Sequence, residues 1–307
     1  MGKPLSIFKR TTGLNKKQTD AHLDYDPESG ITELSEAVNI DITDKGKIKR
    51  RHGFVSIDAG DWHSIKGFGD FGLGVMDDAL FSIFEDGTLT GLRSGLTLYR
   101  KMSYIKPGKD VFYSNGIENG VVRDGVSWTW VSDTLPTTPG VKYDMRYFTS
   151  APVGEFISYL SGRVYVARGN TLFFSLPWAN YWFNMGQDFI PFTSSINMLC
   201  PTNAGMFVGT DEGLHFIMGL NPLEAHIAKI DSYRTIARTN TKVDPRNFPE
   251  GLNHTGQTWM WLNEKGICVG SGEGVIHNLT MERLDIDFAL DGAGLFDGSK
   301  YIGLLNP

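Results

Sequence analysis

Cysteine is nearly absent: the 307 residues hold only Cys200 and Cys268. Two cysteines far apart, each inside an apolar stretch, make no disulfide framework, and a reducing compartment suits such a chain. They read as two small buried hydrophobes. Long apolar runs are missing as well. No stretch approaches the length of a membrane span, and the opening MGKPLSIFKRTTG has no apolar segment of the signal-peptide kind. A basic excess is also lacking. The formal net charge is -6, which argues against a general nucleic-acid binder, because such a protein needs a basic face to replace the counterions of phosphate.

Catalytic signatures are equally scarce. The seven histidines, at 22, 52, 63, 215, 226, 254 and 277, are scattered. None has the i, i+4 spacing of a zinc pair, and neither cysteine lies in a CxxC. A GxSxG elbow and a phosphate-binding P-loop are both missing. Gly67-Phe68-Gly69-Asp70-Phe71-Gly72 matches GxGxxG, but the glycine-rich continuation Leu73-Gly74-Val75-Met76 is no helix start, so the match reads as chance. Asp41, Thr43, Asp44 and Gly46 lack the spacing and the distal glutamate of a calcium loop and read as a turn. Asp124-Gly125-Val126-Ser127-Trp128 is a loose, unrepeated echo of the Ser-x-Asp-x-Gly-x-Thr-Trp box of sialidases. No catalytic residue, cofactor or metal site is expected, and the chain reads as a structural protein rather than an enzyme.

What the chain does have is 36 glycines, 12% aromatic residues and 41% apolar residues overall. Glycine serves tight turns that need positive φ, and aromatics suit half-buried pleated surfaces. The two recur together. Ala79–Phe84 meets Glu85-Asp86-Gly87. Val111–Tyr113 meets Ser114-Asn115-Gly116. Val121–Arg123 meets Asp124-Gly125. Arg163–Ala167 meets Arg168-Gly169-Asn170. Met206–Gly209 meets Thr210–Gly213, and Ile267–Val269 meets Gly270–Gly274. In each case a second apolar run follows. Asp-Gly and Asn-Gly between apolar runs are hairpin signals. Hairpins about 40 to 60 residues apart predict an all-β fold, a β-propeller or propeller-like array of antiparallel hairpin blades. The polar stretches 132–155 and 220–258 are expected to be loops between blades. Lys300–Leu305 is expected to seal the ring, with Val38–Ile42 as its pairing partner.

Residues 1–30 are polar and basic and read as an N-terminal arm ordered poorly or only by a neighbour; residues 31–307 form the propeller-like domain. Leu34, Val38, Ile40 and Ile42 suggest a helical turn running into a strand. Lys45, Lys47, Lys49, Arg50 and Arg51 form a basic cluster with two readings: a surface that docks a partner, or an edge strand whose cations block aggregation. Residues 1–55 carry ten lysines and arginines against eight acids, so a +2 segment precedes a remainder at -8. Unlike surfaces of that kind suit head-to-tail assembly.

Leu34–Ile42 followed by Gly46–Phe54, then Tyr159–Trp178, then Gly205–Phe216, stand in an order that resembles tail structural proteins of double-stranded DNA phages. It is similar in particular to the tail nozzle of short-tailed phages. That resemblance implies a six-fold ring of propeller-containing subunits that binds an adaptor or other tail proteins. It implies passage of the genome without specific binding. It also implies assembly into the virion tail after synthesis in the host cytoplasm. The alternatives are a fibre-docking tail component, or a propeller that binds host-surface carbohydrate, where the tryptophans would stack on sugar rings. The seven tryptophans fall mostly in close pairs at unlike points of the repeat, which favours packing.

Overall fold

The computed structural model describes residues 10–306, apart from 20–21, 27–29, 44, 54, 57, 133–141, 143, 248–255 and 299. Five antiparallel sheets follow one another and form a five-bladed β-propeller. Ahead of them come β1 (Arg10–Leu14), β2 (Tyr25–Asp26), β3 (Ile31–Leu34), and the hairpin of β4 (Ile40–Ile42) and β5 (Ile48–Arg50). The first blade is β6 (Trp62–Gly67), β7 (Phe71–Met76), β8 (Ala79–Phe84) and β9 (Leu89–Arg93). The second is β10 (Ser103–Ile105), β11 (Val111–Ser114), β12 (Asn119–Arg123) and β13 (Val126–Trp128). In the third, β14 (Phe156–Leu160), β15 (Arg163–Arg168) and β16 (Thr171–Leu176) are followed by an outer position split between β17 (Ala179–Phe183) and β18 (Phe189–Pro191). The fourth is β19 (Ile196–Pro201), β20 (Gly205–Thr210), β21 (Gly213–Met218) and β22 (His226–Asp231). The fifth is β23 (Thr241–Val243), β24 (Thr258–Asn263), β25 (Gly266–Gly270) and β26 (Ile276–Asn278). A last hairpin pairs β27 (Asp291–Phe296) with β28 (Tyr301–Asn306).

All six hairpins read from the turns are present. The turn between β12 and β13 shows why its residues are needed: Asp124 has φ +49° and Gly125 has φ +75°, the two positive values a tight two-residue reversal requires. The GxGxxG run is likewise a hairpin turn between β6 and β7, closed by Phe68 N–H to Phe71 O at 2.8 Å.

The core lies between the blades. Leu73, Val75 and Leu80 of the first pack against Tyr104, Val111 and Tyr113 of the second. Phe112 and Val121 meet Val164, Val166 and Phe183 across the next gap. Leu172 and Phe174 meet Leu199, Met206 and Val208, and Met198, Cys200 and Phe207 meet Trp261 and Cys268. The three middle sheets are thus apolar on both faces, so their inner strands read as continuous apolar runs rather than alternations.

Several expectations are corrected. The stretch 220–258 is not one loop: it contains β22 and β23. The first is an outermost strand with little burial, so it shows no apolar alternation, and the second has only three residues. The sealing strand β28 pairs with β27, not with Val38–Ile42. A partner four residues away around a Gly298 turn (φ +96°) costs far less loop entropy than one more than 250 residues distant. Toward 38–42 the hairpin sends an ion pair, Lys300 Nζ to Asp41 at 3.3 Å. Residues 34–39 form no helical turn. Residues 1–9 of the expected arm lie outside the described residues; its described part contributes to a sheet of order β1-β3-β2. Arg283 reaches Thr12 O at 2.6 Å and Lys17 reaches Met281 O at 2.5 Å, so the sheet is held to the chain's own C-terminal third.

Candidate docking surfaces

Alternating strands place the connections of each blade at two opposite ends. At one end lie the turns between second and third strands: Asp77-Asp78, Asn115–Glu118, Gly169-Asn170, Asp211-Glu212 and Glu264-Lys265. Four of the five carry acids, and those acids hook the connections between blades. Asp78 accepts from Gly95 N at 3.2 Å. Glu118 accepts from Thr97 N at 3.0 Å and from the Thr97 hydroxyl. Glu212 accepts from the Thr193 hydroxyl at 2.9 Å, and Glu264 from Arg234 N at 3.4 Å. In the third blade the polarity is reversed: Glu155 of the incoming connection accepts from Gly169 N at 3.2 Å. Burial works to raise the Glu118 carboxyl, but the bonds from Thr97 and Asn115 outweigh it and hold it below the usual carboxylate range. These turns are structural clasps, a role the sequence reading did not assign them.

The opposite end carries the turns between third and fourth strands, and each presents a large apolar side chain to solvent. They are Phe84 and Leu89, Val126, Trp178, the trio Met218, Leu220 and Leu223, and Val275. Trp178 is the most prominent, 80% exposed at φ +60°. Its N–H bonds Gly162 O at 2.6 Å, and its ring lies so close over Gly162 that a Cβ there would be 2.7 Å away. Trp182, which the carbohydrate reading would pair with it, is buried.

Near the axis the last hairpin meets the ring. Asp291 Oδ2 lies 2.5 Å from Lys101 Nζ, and Oδ1 lies 3.6 Å from Arg238 Nη1. The Arg238 guanidinium stacks 4.6 Å over the Phe156 ring; burial lowers its pKa, and Asp291 partly restores it. Lys66 is exposed to solvent by surface area yet hemmed in on all sides. Desolvation lowers its pKa, and its Nζ donates to Tyr104 O at 3.0 Å.

Of the basic cluster, Lys45, Lys47, Lys49, Arg50 and Arg51 are all exposed on the β4–β5 hairpin. Arg51 is bonded to Asp41 at 3.4 Å. The other four take part in no ion pair among the described residues. Every residue of β5 is exposed, and Ile40 faces Arg50, Asp41 faces Lys49 and Ile42 faces Ile48 across the hairpin. The structure therefore brings the five residues together on one hairpin. Asp41, once weighed as a calcium ligand, is instead held between Lys300 and Arg51, and its hydrogen bond to Lys300 keeps it below the usual carboxylate range. Among the described residues no group of three or more histidine, cysteine, aspartate or glutamate side chains could hold a metal. No described helix is long and apolar enough to cross a membrane.

No family model matches the chain, and no curated protein matches it. Solved structures do. The N-terminal domain of BBS1, solved in complex with ARL6DN, is similar at a TM-score of 0.51 and 10% identity, over 84% of this chain and 80% of that one. The Pan2 WD40 domain of Neurospora crassa is similar at 0.49 and 12% identity, over 80% and 72%. The extracellular domain of a one component system of B. thetaiotaomicron is similar at 0.49 and 9% identity, over 84% of this chain. The chain spans about a third of the length of that last protein and of its two component counterpart. The likeness to the BBS1 domain is one of fold: the chain is an all-β propeller.

Proposed function

We propose that this chain is a non-catalytic scaffold that works by docking other proteins, and that it is a ring-forming subunit of a phage tail, of the nozzle or hub kind. One observation carries the reading: four exposed cations without ion-pair partners among the described residues, on a solvent-facing hairpin of a chain whose remainder is acidic. Buried blades supply a rigid body, and the free edge supplies the contact. Copies joined by unlike patches close into a ring when the rotation closes. In this reading the ring surrounds the DNA exit channel, and like charge on its acidic remainder keeps passing DNA from sticking. An adaptor or other tail protein binds one end of the ring. The resemblance of Leu34–Phe54, Tyr159–Trp178 and Gly205–Phe216 to tail structural proteins supports this assignment, and it also suggests six copies and a place in the virion tail.

Negative-stain images of the purified full chain test it: rings with an open lumen are expected. Monomers at every concentration, with no binding to any neighbouring tail protein, would remove it. The carbohydrate reading has one observation in its favour, the exposed ring of Trp178, but only one blade offers a tryptophan there. Glycan binding lost in Trp178→Ala would reverse the ranking.

A further inference from the structure

The acidic surplus is concentrated. Between Gly67 and Leu92 the chain has five acids, Asp70, Asp77, Asp78, Glu85 and Asp86, and no lysine or arginine. All five are exposed turn residues of the first blade. None forms an ion pair among the described residues. Asp77-Asp78 sits at one end of this blade and Glu85-Asp86 at the other, so acids bracket its outermost strand. That strand, β9, pairs with β8 through Ile83↔Leu89, Ser82↔Thr90, Phe81↔Gly91 and Leu80↔Arg93, and its other edge has no strand partner among the described residues. Leu89, Thr90 and Gly91 are exposed, and Phe84 and Leu89 offer apolar surface beside the edge.

The basic hairpin has the matching features. Strand β5 pairs only with β4, and its outer edge is free among the described residues. Ile48 is its exposed apolar residue, and Lys47, Lys49 and Arg50 flank it. An exposed strand edge is a template for another strand. Backbone hydrogen bonds then supply affinity, and flanking side chains supply specificity. Here the flanks are complementary in sign, whereas two β5 edges or two β9 edges would repel. Such a pairing of unlike patches is heterologous and propagates around a ring.

We propose that the outer edge of the first blade is the acceptor for the β4–β5 hairpin of a second copy, with β5 adding to β9. Lys45, Lys47, Lys49 and Arg50 then face the acids that bracket β9. This rests on the ring reading above and names its contact.

The test is a reciprocal charge reversal in the full chain. Assembly is followed by mass photometry at low and high salt, and circular dichroism checks the fold; every substituted side chain is exposed. Lys47→Glu/Lys49→Glu/Arg50→Glu and Asp77→Lys/Glu85→Lys/Asp86→Lys should each weaken assembly by about tenfold or more, and a mixture of the two variants should form alternating contacts that restore it. Salt should weaken the wild type and have little effect on either variant alone. Rings that persist in both variants would overturn this contact and leave the ring reading standing. Loss in the first variant but not in the second would overturn it too, since the hairpin would then dock elsewhere. A wild type that never assembles would overturn both.

Discussion

Replacing Asp291 by asparagine should loosen the closure of the ring while leaving its shape. The carboxylate lies 2.5 Å from Lys101 and 3.6 Å from Arg238, and those side chains are only 31%, 26% and 24% exposed for Lys101, Asp291 and Arg238. The residue also anchors the last hairpin by backbone, since Ala237 pairs with Asp291 and Gly292 N donates to Ala237 O at 3.0 Å. Asparagine keeps the backbone and the volume. It removes the charge that compensates two crowded cations. Removing one partner of a fully buried pair costs about 3–5 kcal/mol. A site open to water by about a quarter of its surface retains part of that, so about 2 kcal/mol is expected. For a chain of this size that corresponds to a fall in melting temperature of roughly 5 °C.

Urea denaturation and thermal melts read this directly, and a second substitution separates charge from shape. Arg238→Met keeps an apolar stem over the Phe156 ring, where the guanidinium now stacks at 4.6 Å. Replacing both charged members of a buried pair is often close to neutral, whereas removing one leaves the other uncompensated. The double variant Asp291→Asn/Arg238→Met should therefore recover about half of the loss, a coupling of about 1 kcal/mol. Additive single losses, or an Asp291→Asn protein within about 0.5 kcal/mol of the wild type, would refute the view that charge compensation holds the hairpin in place.

Three further outcomes follow from the fold. Trp130 is fully buried, 4.8 Å from the Phe112 ring, with its indole N–H bonded to Asn180 O, so Trp130→Ala should cost about 3–5 kcal/mol in urea denaturation. Burial lowers the pKa of both His63 and His215 below 6.5. The unfolded chain then binds protons that the folded one refuses, so stability should fall as pH drops through 6.5 and level off below the folded pKa values. His63→Gln/His215→Gln should flatten that slope when urea midpoints are compared between about pH 7.5 and 5. Deleting residues 1–30 removes β1 and β2 and the contacts of Lys16, Lys17 and Thr12 with 281–283, yet no blade loses a strand; the far-ultraviolet spectrum should keep its β character, with a modest fall in melting temperature as the only stability change.

The turns were the legible part. A turn that places aspartate, asparagine and glycine together between apolar runs is easily read, so Asp124-Gly125 announces itself in the sequence, as do Glu85-Asp86-Gly87 and Gly169-Asn170. Two reversals lacked that signature. Asp77-Asp78 has positive φ at Asp77, an aspartate able to adopt the left-handed conformation without glycine. Ser161-Gly162 closes β14 against β15, with both residues at positive φ, but its place beside apolar Tyr159-Leu160 hid it inside one long run. Strand β22 was invisible because an outermost strand exposed on both faces has no period to read. The first sheet, β1-β3-β2, escaped for a different reason: β1 and β3 are parallel, and a parallel pair has no local turn to betray it. The basic hairpin was legible as charge. Its acidic counterpart on the first blade was not, because acids spread over several turns meet only when the turns are stacked at the ends of one sheet.

The fold leaves its free strand edges and unpaired charges at the rim. Four gaps between successive blades are filled by apolar side chains from two sheets, and Asp78, Glu118, Glu212 and Glu264 are spent on the connections that tie blade to blade. Near the axis, Asp291 compensates the charges of Lys101 and Arg238, while Arg238 Nε and Asp291 Oδ1 have no hydrogen-bond partner among the described residues. Most of the polar groups that could do chemistry are therefore already committed to holding the ring together. What remains uncommitted lies outside: strand edges at β5 and β9, cations on one, acids around the other, and apolar side chains at the turns into the outermost strands. In the docking reading proposed above, unlike free edges on a rigid body are the surfaces that join it to other bodies. Its specificity should therefore respond to charge reversal at those edges far more than to any change near the axis, where the same reversal would instead be read as lost stability.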